Sequence, residues 1–379
     1  MSERAKFTNR ERLREHIRRS GCDVVLACSP ENVVYTSGFY NFDIRLLPDR
    51  ILTTVWPAEG EPAFVVMDRR VEEARRHGFI ADVRGYTLVD GIFPTEPMAL
   101  VAEAIRERGL ARGRIGYEAL YLPAWHLQQL QQELPQATFV PCDFMFDDVR
   151  MVKTPAEIEH MAWAANQTLR AIANAYEQAR PGDTERSIVN HMMYITTKLG
   201  ADSVPINVFA SGPRTQDGHH LAEDVPIQPG DIIRVDYGGC FQGYFTDLVR
   251  MAVVGPPSDA QRRVYDLMVA AHRHVIEQTR PGLTGAEWYQ MMMGVHRQAP
   301  DDLTAFGMGH CIGLGIHDRP ILTQVEPRRL EPDMLLMVEQ MYRVPGQVFY
   351  HIEDLVRITP TGCEVLSTYT PIDEMYVIR

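Results

Sequence analysis

The sequence predicts two domains of different class, an α/β domain over residues 1–150 and an α+β domain over residues 151–379. Three observations carry this. In the first part, strand-like and helix-like segments alternate, the pattern of a mixed sheet flanked by helices. Near 143–154, FDDVRMVKT runs into a proline-containing helix start, which marks a boundary. Beyond it the chain is first helix-rich and then strand-rich, with glycines at hairpin positions, as expected for helices over one face of a curved antiparallel sheet.

The elements follow in order. Thr8-x-x-Glu11 reads as a capping box that opens an amphipathic helix running to about Ser20, where Gly21 supplies the stop. DVVLACS, ILTTVW, PAFVVM and RIGYE read as strands, interleaved with helical stretches near 69–77, 97–109 and 123–134. Thr154-Pro155-Ala156-Glu157 is a second capping box, with proline at the first helical position, and starts a long helix through about Gln178. Arg180-Pro181-Gly182 ends it. Further helices are expected at 184–199, at 258–279 behind Ser258-x-x-Gln261, and at 284–297 behind Thr284-x-x-Glu287. DYGGCFQGYFTD and VEQMYRVPGQVFYHIED read as hairpins.

Bulk properties exclude several classes. With 45% hydrophobic and 23% charged residues, 379 residues suffice for two cored domains. No apolar run approaches a membrane span, and MSERAKFTNRERLREHIRR lacks the apolar core of a secretory signal, so no membrane partner and a cytoplasmic location are expected. The six cysteines have no metal-finger spacing and read as reduced thiols. A formal charge of −12 argues against a nucleic-acid partner.

Five residues are not explained by fold-building: Asp236, Asp247, His310, Glu339 and Glu353. Each sits in a strand-like context with glycine nearby. In a two-residue hairpin centred on Phe241–Gln242, Asp236 and Asp247 fall opposite each other, and Glu339 and Glu353 are symmetric about Gly346. Directly opposed like charges destabilise a bare sheet unless they form a solvated face. Four carboxylates with one imidazole, if buried, need a compensating cation. Oxygen-rich ligation of this kind suits manganese, iron, cobalt or zinc, and bridging carboxylates suit two ions side by side.

The segments GDIIRVDYG, GYFTDLVR, GMGHCIGLGIHDRP, MLLMVEQMYRVPG and HIEDLVRITPTG, in that order, resemble the signature blocks of the pita-bread metallopeptidases. The branch is that of Xaa-Pro dipeptidase (prolidase), aminopeptidase P and creatinase. DVRMVKTPAEIEHMAWA resembles their linker and first helix, and ENVVYTSGF a block of their N-terminal domain. The resemblance spans almost the whole chain. It implies a creatinase-like N-terminal domain and a pita-bread catalytic domain, with all five residues above matching the family's metal ligands. It also implies two divalent ions (manganese foremost, with cobalt, zinc or iron as alternatives) and a homodimer. Glu339 then doubles as general base, and His317 and His219 match the family's substrate histidines, although the adjacent His220 leaves that register open. The implied reaction is hydrolysis of the amide bond before proline in dipeptides or short peptides, by a hydroxide shared between the ions.

Departures from the family pattern bear on substrate. Glu-Pro-Gly at the fourth ligand reads Glu339-Gln340-Met341, the tyrosine expected four residues later is Arg343, and the arginine usual two before the last ligand is His351. Phe306 stands four before His310, where peptidases often carry another histidine. Arg343 is expected to restore the missing guanidinium from the facing strand and to bind substrate together with His351. These changes keep open a non-peptide amide, amidine or small zwitterion as substrate, in the manner of creatinase or the related lyases. A catalytically silent scaffold is the third reading, and the intact ligand set opposes it. Cys311, with no activating base, reads as packing.

Overall fold

The computed structural model describes residues 3–41, 43–47, 50–89, 93–94 and 96–379. By internal packing the chain divides into two compact units, Met1–Arg150 and Met151–Arg379.

The first unit is built on a six-stranded mixed sheet in the order Asp82–Tyr86, Ala63–Met67, Thr53–Pro57, Val24–Ala27, Arg114–Tyr117, Thr138–Pro141. Val24–Ala27 runs antiparallel to Thr53–Pro57 and parallel to Arg114–Tyr117. The four central strands coincide with the four expected from the sequence, and the two edge strands were not foreseen. Val24, Leu26, Val65 and Ile115 pack with Val101 and Ile105 of the helix Pro97–Glu107 in one core. The N-terminal helix, Arg10–Ser20, is capped differently from expectation. Asn9 accepts the Arg12 backbone N–H, while Thr8 donates its hydroxyl to the Tyr35 carbonyl, which removes it from the cap. Gly21 closes the helix at φ 70°, as the stop signal requires.

The second unit opens with Pro155–Gln178, where Thr154 and Glu157 form the reciprocal capping box. Capping boxes also start Asp259–Gln278 and Gly285–His296, and Thr184 caps Glu185–Lys198. These helices cover an 11-stranded sheet. Its main path runs Asp318–Ile321, Thr304–Cys311, Leu335–Val344, Val348–Ile358, Leu248–Val249, Ile232–Phe241, Ala252–Val254, Tyr376–Ile378. Ser203–Ser211 lies along Ile232–Phe241. The sheet is not wholly antiparallel as expected, because Ala252–Val254 and Tyr376–Ile378 pair in parallel across more than a hundred residues of intervening chain. Trp288, fully buried, fills the space between its helix and the strand Thr304–Cys311. A Cβ on Gly309 would lie 2.5 Å from its ring, so only glycine fits immediately before His310.

Candidate metal centre

The two hairpins set the geometry. Leu335–Val344 and Val348–Ile358 pair continuously about Gly346 (φ 71°), which places Glu339 opposite Glu353, Met341 opposite His351 and Arg343 opposite Phe349. With the two-residue period of a strand, all six project from one face. On the other edge Met308 stands opposite Glu339, and His310 lies two residues further along the same face.

The other hairpin differs from expectation by one residue on each strand. Its turn is Gln242–Gly243, both with positive φ (52° and 89°), and Asp236 faces Val249 rather than Asp247. A two-residue turn of this hand needs left-handed residues at both central positions, and Gly243 takes the second without strain. Asp236 and Asp247 are therefore diagonal neighbours on one face. Thr246 approaches the opposite strand so closely that a Cβ on Gly238 would meet its carbonyl oxygen at 1.7 Å. Asp247 lies beside it, in the break between the short strands Tyr244–Phe245 and Leu248–Val249.

The five residues converge. Ligand atoms of His310, Glu339 and Glu353 lie within 4.8 Å of one another, as do those of Asp236, Asp247 and Glu353, and those of Asp247, His310 and His317. All but Asp236 and His317 are buried. His310 Nδ1 is 3.0 Å from the Cys311 carbonyl, which can only accept, so Nδ1 carries the proton. The unprotonated Nε2 then faces Glu339 Oε1 at 3.4 Å and Glu353 Oε1 at 3.8 Å. A lone pair aimed at two carboxylate oxygens is repulsive unless a cation lies between them. Three buried atoms of the cluster, Asp247 Oδ1, His310 Nε2 and Glu353 Oε1, have no hydrogen-bond partner among the described residues. Burial and the neighbouring carboxylates drive the Asp247 and Glu353 carboxyls far above their ordinary range. For Glu339, burial would raise the carboxyl, and the hydrogen bond from His351 to Oε2 holds it down. The donor set and its orphaned atoms fit divalent metal.

The outer face of the sheet braces this cluster. Arg250 donates to the Glu353 carbonyl at 2.8 Å and to Asp354 at 2.5 Å, and His272 meets the other Asp354 oxygen at 3.0 Å. Burial would raise the Asp354 carboxyl, and Arg250 and His272 pull it well below the usual range. Behind Glu339, Gln340 accepts from His296 at 2.6 Å, which gives the departure from proline at that position a buried partner.

The histidines separate cleanly. His220 contacts Arg214 and lies 3.4 Å from Asp217, whereas His219 is exposed and near His317, whose imidazole is held down by burial first, then by His310, with a small contribution from His219. Their segment is pinned by Glu185, fully buried, which accepts from the Ser211 and Glu223 backbone N–H groups at 2.8 and 3.2 Å. The His317 ring meets that of His310 edge-on at 4.5 Å between centroids. Cys311 is fully buried, its thiol pushed up to about 12 by burial, in keeping with a packing role.

The guanidinium beside His351 is not that of Arg343. Arg343 stacks over the Phe349 ring at 4.9 Å and, among the described residues, donates only a long 3.5 Å bond to the Gln216 carbonyl. Arg234, which the sequence reading passed over, lies 3.2–3.3 Å from His351 and 3.1 Å from Asp236. Its signal was present: it is the one charged residue between Asp231 and Asp236 in an otherwise apolar strand segment, GDIIRVDYG.

A sheet bearing four carboxylates and an imidazole, with orphaned atoms in one cluster, defines a metal-dependent hydrolase. The chain belongs to metallopeptidase family M24, which it matches over residues 159–360, and it matches the creatinase/prolidase N-terminal domain over residues 9–152. It is 26% identical over 370 residues to an Xaa-Pro dipeptidase of Lactobacillus helveticus, covering 97% of each chain. Among solved structures it resembles an Xaa-Pro dipeptidase from Bacillus anthracis (TM-score 0.83, 25% identity, 97% of this chain and 98% of that one). It also shares the fold of an X-Pro aminopeptidase from Thermotoga maritima (TM-score 0.83, 24% identity, 96% of this chain and 100% of that one). Among the described residues no helix is long and apolar enough to cross a membrane.

Proposed function

We propose that this enzyme hydrolyses the amide bond before proline in dipeptides or short peptides, with two divalent ions held by Asp236, Asp247, His310, Glu339 and Glu353. The convergence of those five side chains around three orphaned buried atoms carries the reading. The names of its relatives point to Xaa-Pro substrates. Manganese suits the oxygen-rich ligand set, and a homodimer and a cytoplasmic location accord with the family and with the free cysteines.

Metal bound there would acidify a coordinated water and polarise the scissile carbonyl. The protein's own groups divide the remaining work. Glu339 keeps one oxygen, Oε2, on His351 at 3.1 Å and turns Oε1 to the cluster, where it is placed to take a proton. His317 borders the cluster, with His219 near it, and the two serve as donors to the substrate carbonyl and the developing oxyanion. Phe306 and Phe349 stack at 5.7 Å and form an apolar wall beside Arg343, suited to a proline ring. The exchanged residues Gln340, Arg343 and His351 favour, as a second reading, a small non-peptide amide at the same centre. Turnover of Xaa-Pro dipeptides, Xaa-Pro tripeptides and small amides by the manganese-loaded protein separates the two. Activity confined to non-peptide amides contradicts the first.

Arg343 tests the substrate's charge. Its Nε is buried without a hydrogen-bond partner, and it has no ion pair among the described residues, so a substrate carboxylate is its natural complement. Arg343→Met is expected to lower kcat/KM for a free-acid Xaa-Pro dipeptide by an amount worth roughly 1.5–3 kcal/mol, and to affect the C-terminally amidated substrate far less. Equal losses on both substrates would make the residue structural.

A further inference from the structure

We propose that Arg234 and His351 form a positioning pair that fixes which oxygen of Glu339 faces the metal ligands; this rests on the reading of Glu339 given above. Arg234 lies on the strand Ile232–Phe241 and is 3% exposed. Its Nε and Nη2 approach His351 Nδ1 at 3.3 and 3.2 Å, Nη2 also reaches Asp236 Oδ2 at 3.1 Å, and Nη1 donates to the Gly218 carbonyl.

A guanidinium has donors only. His351 Nδ1 must therefore accept, and the imidazole proton sits on Nε2. That nitrogen is 3.1 Å from Glu339 Oε2, so it donates there. One direction of donation runs from Arg234 through His351 to Glu339, and each step leaves its neighbour a single choice. Glu339 Oε2 is thereby occupied, and Oε1 is the oxygen left for the cluster, 3.4 Å from His310 Nε2. Without the guanidinium, His351 can carry its proton on Nδ1 and present a lone pair to Glu339, which removes the restraint and adds a repulsion.

The same cation contacts Asp236 directly, so it holds two of the four carboxylates, one on each hairpin. His351 is 1% exposed and cannot exchange its partner for water. Phe349 stacks parallel to the His351 ring (6.1 Å, 9°) and also lies under the Arg234 guanidinium at 4.8 Å, which keeps both side chains in place. Where the resembling blocks have arginine at the position of His351, this chain supplies the guanidinium from another strand of the same face.

The experiment compares wild type, Arg234→Leu, Arg234→Lys and the exchange Arg234→Leu/His351→Arg, using manganese titration calorimetry on metal-stripped protein and kcat and KM on an Xaa-Pro dipeptide. Partners of metal ligands are commonly worth 10–100-fold in metal affinity or activity. Arg234→Leu is expected to lose about that much in manganese affinity and in kcat, with KM within about threefold. The lysine variant keeps the charge but not the two-nitrogen approach to Nδ1, and is expected to stay folded with kcat at least about tenfold down. The exchange variant is expected to recover to within about tenfold of wild type. Wild-type manganese affinity and kcat in Arg234→Lys would reduce the residue to a bulk charge and overturn the proposal, as would the same result in Arg234→Leu. If wild type binds manganese but cleaves no Xaa-Pro peptide, the substrate reading fails and the affinities alone decide the positioning role.

Discussion

Glu339→Gln is expected to lower turnover by about 10²–10⁴-fold at saturating manganese, the usual contribution of a positioned general base, the role proposed for Glu339. The structure gives the reason. His351 donates to Glu339 Oε2 at 3.1 Å, and an amide oxygen accepts that bond equally well. The glutamine therefore turns its NH2 group toward His310 Nε2 and the other carboxylates, where the glutamate presents Oε1. The replacement has neither a proton acceptor nor a ligand at that point, while the packing is unchanged. KM should move by no more than a few-fold, because substrate contacts are not touched. Steady-state kinetics with metal in excess make the check. Turnover within threefold of wild type would remove Glu339 from the role of base.

Asp247→Ala and His310→Ala are expected to abolish two-metal occupancy and with it activity, leaving the protein folded. Asp247 groups with Asp236 and Glu353, and His310 with Glu339 and Glu353, so either loss breaks one half of the centre and with it two-metal occupancy. The fold should survive because these side chains repel as much as they hold. Asp247 is driven far up in pKa by burial first and then by Asp236 and Glu339. Taking away a buried acid that no cation compensates relieves the metal-free protein, although the cavity left by alanine offsets part of the gain. Elemental analysis after manganese loading and dialysis reads the stoichiometry, and circular dichroism reads the fold. Two ions retained per chain in Asp247→Ala would count against the ligand assignment.

What the sequence made legible were features set by local chemistry. The capping boxes at Thr154, Ser258 and Thr284 each satisfy backbone donors within four residues, so they form wherever the helix does. The symmetry about Gly346 was readable because a glycine in a proline-containing turn fixes the register of everything after it. The first hairpin was misjudged by one residue on each strand because Gln242, not a usual left-handed residue, takes a central turn position. Asp82–Tyr86 and Thr138–Pro141 escaped notice because they are the two outermost strands of their sheet. Their edges face solvent, so they carry arginine, glycine and proline in place of an apolar run. Arg234 escaped for another reason. Its partners, His351 and Asp236, meet it only when two strands far apart in sequence lie on one face, and spacing alone suggested Arg343 instead. The parallel pairing of Tyr376–Ile378 is of the same long-range kind.

In the proposed mechanism, hydrolysis depends on two divalent ions held by the five converging side chains. This dependence is tested most directly by stripping the protein with chelator and titrating manganese back while following cleavage of an Xaa-Pro dipeptide. No cleavage is expected in the stripped protein, followed by a rise that levels off at about two equivalents per chain, since each of two ions draws on ligands from this one cluster. Undiminished cleavage by protein shown to be metal-free would contradict it.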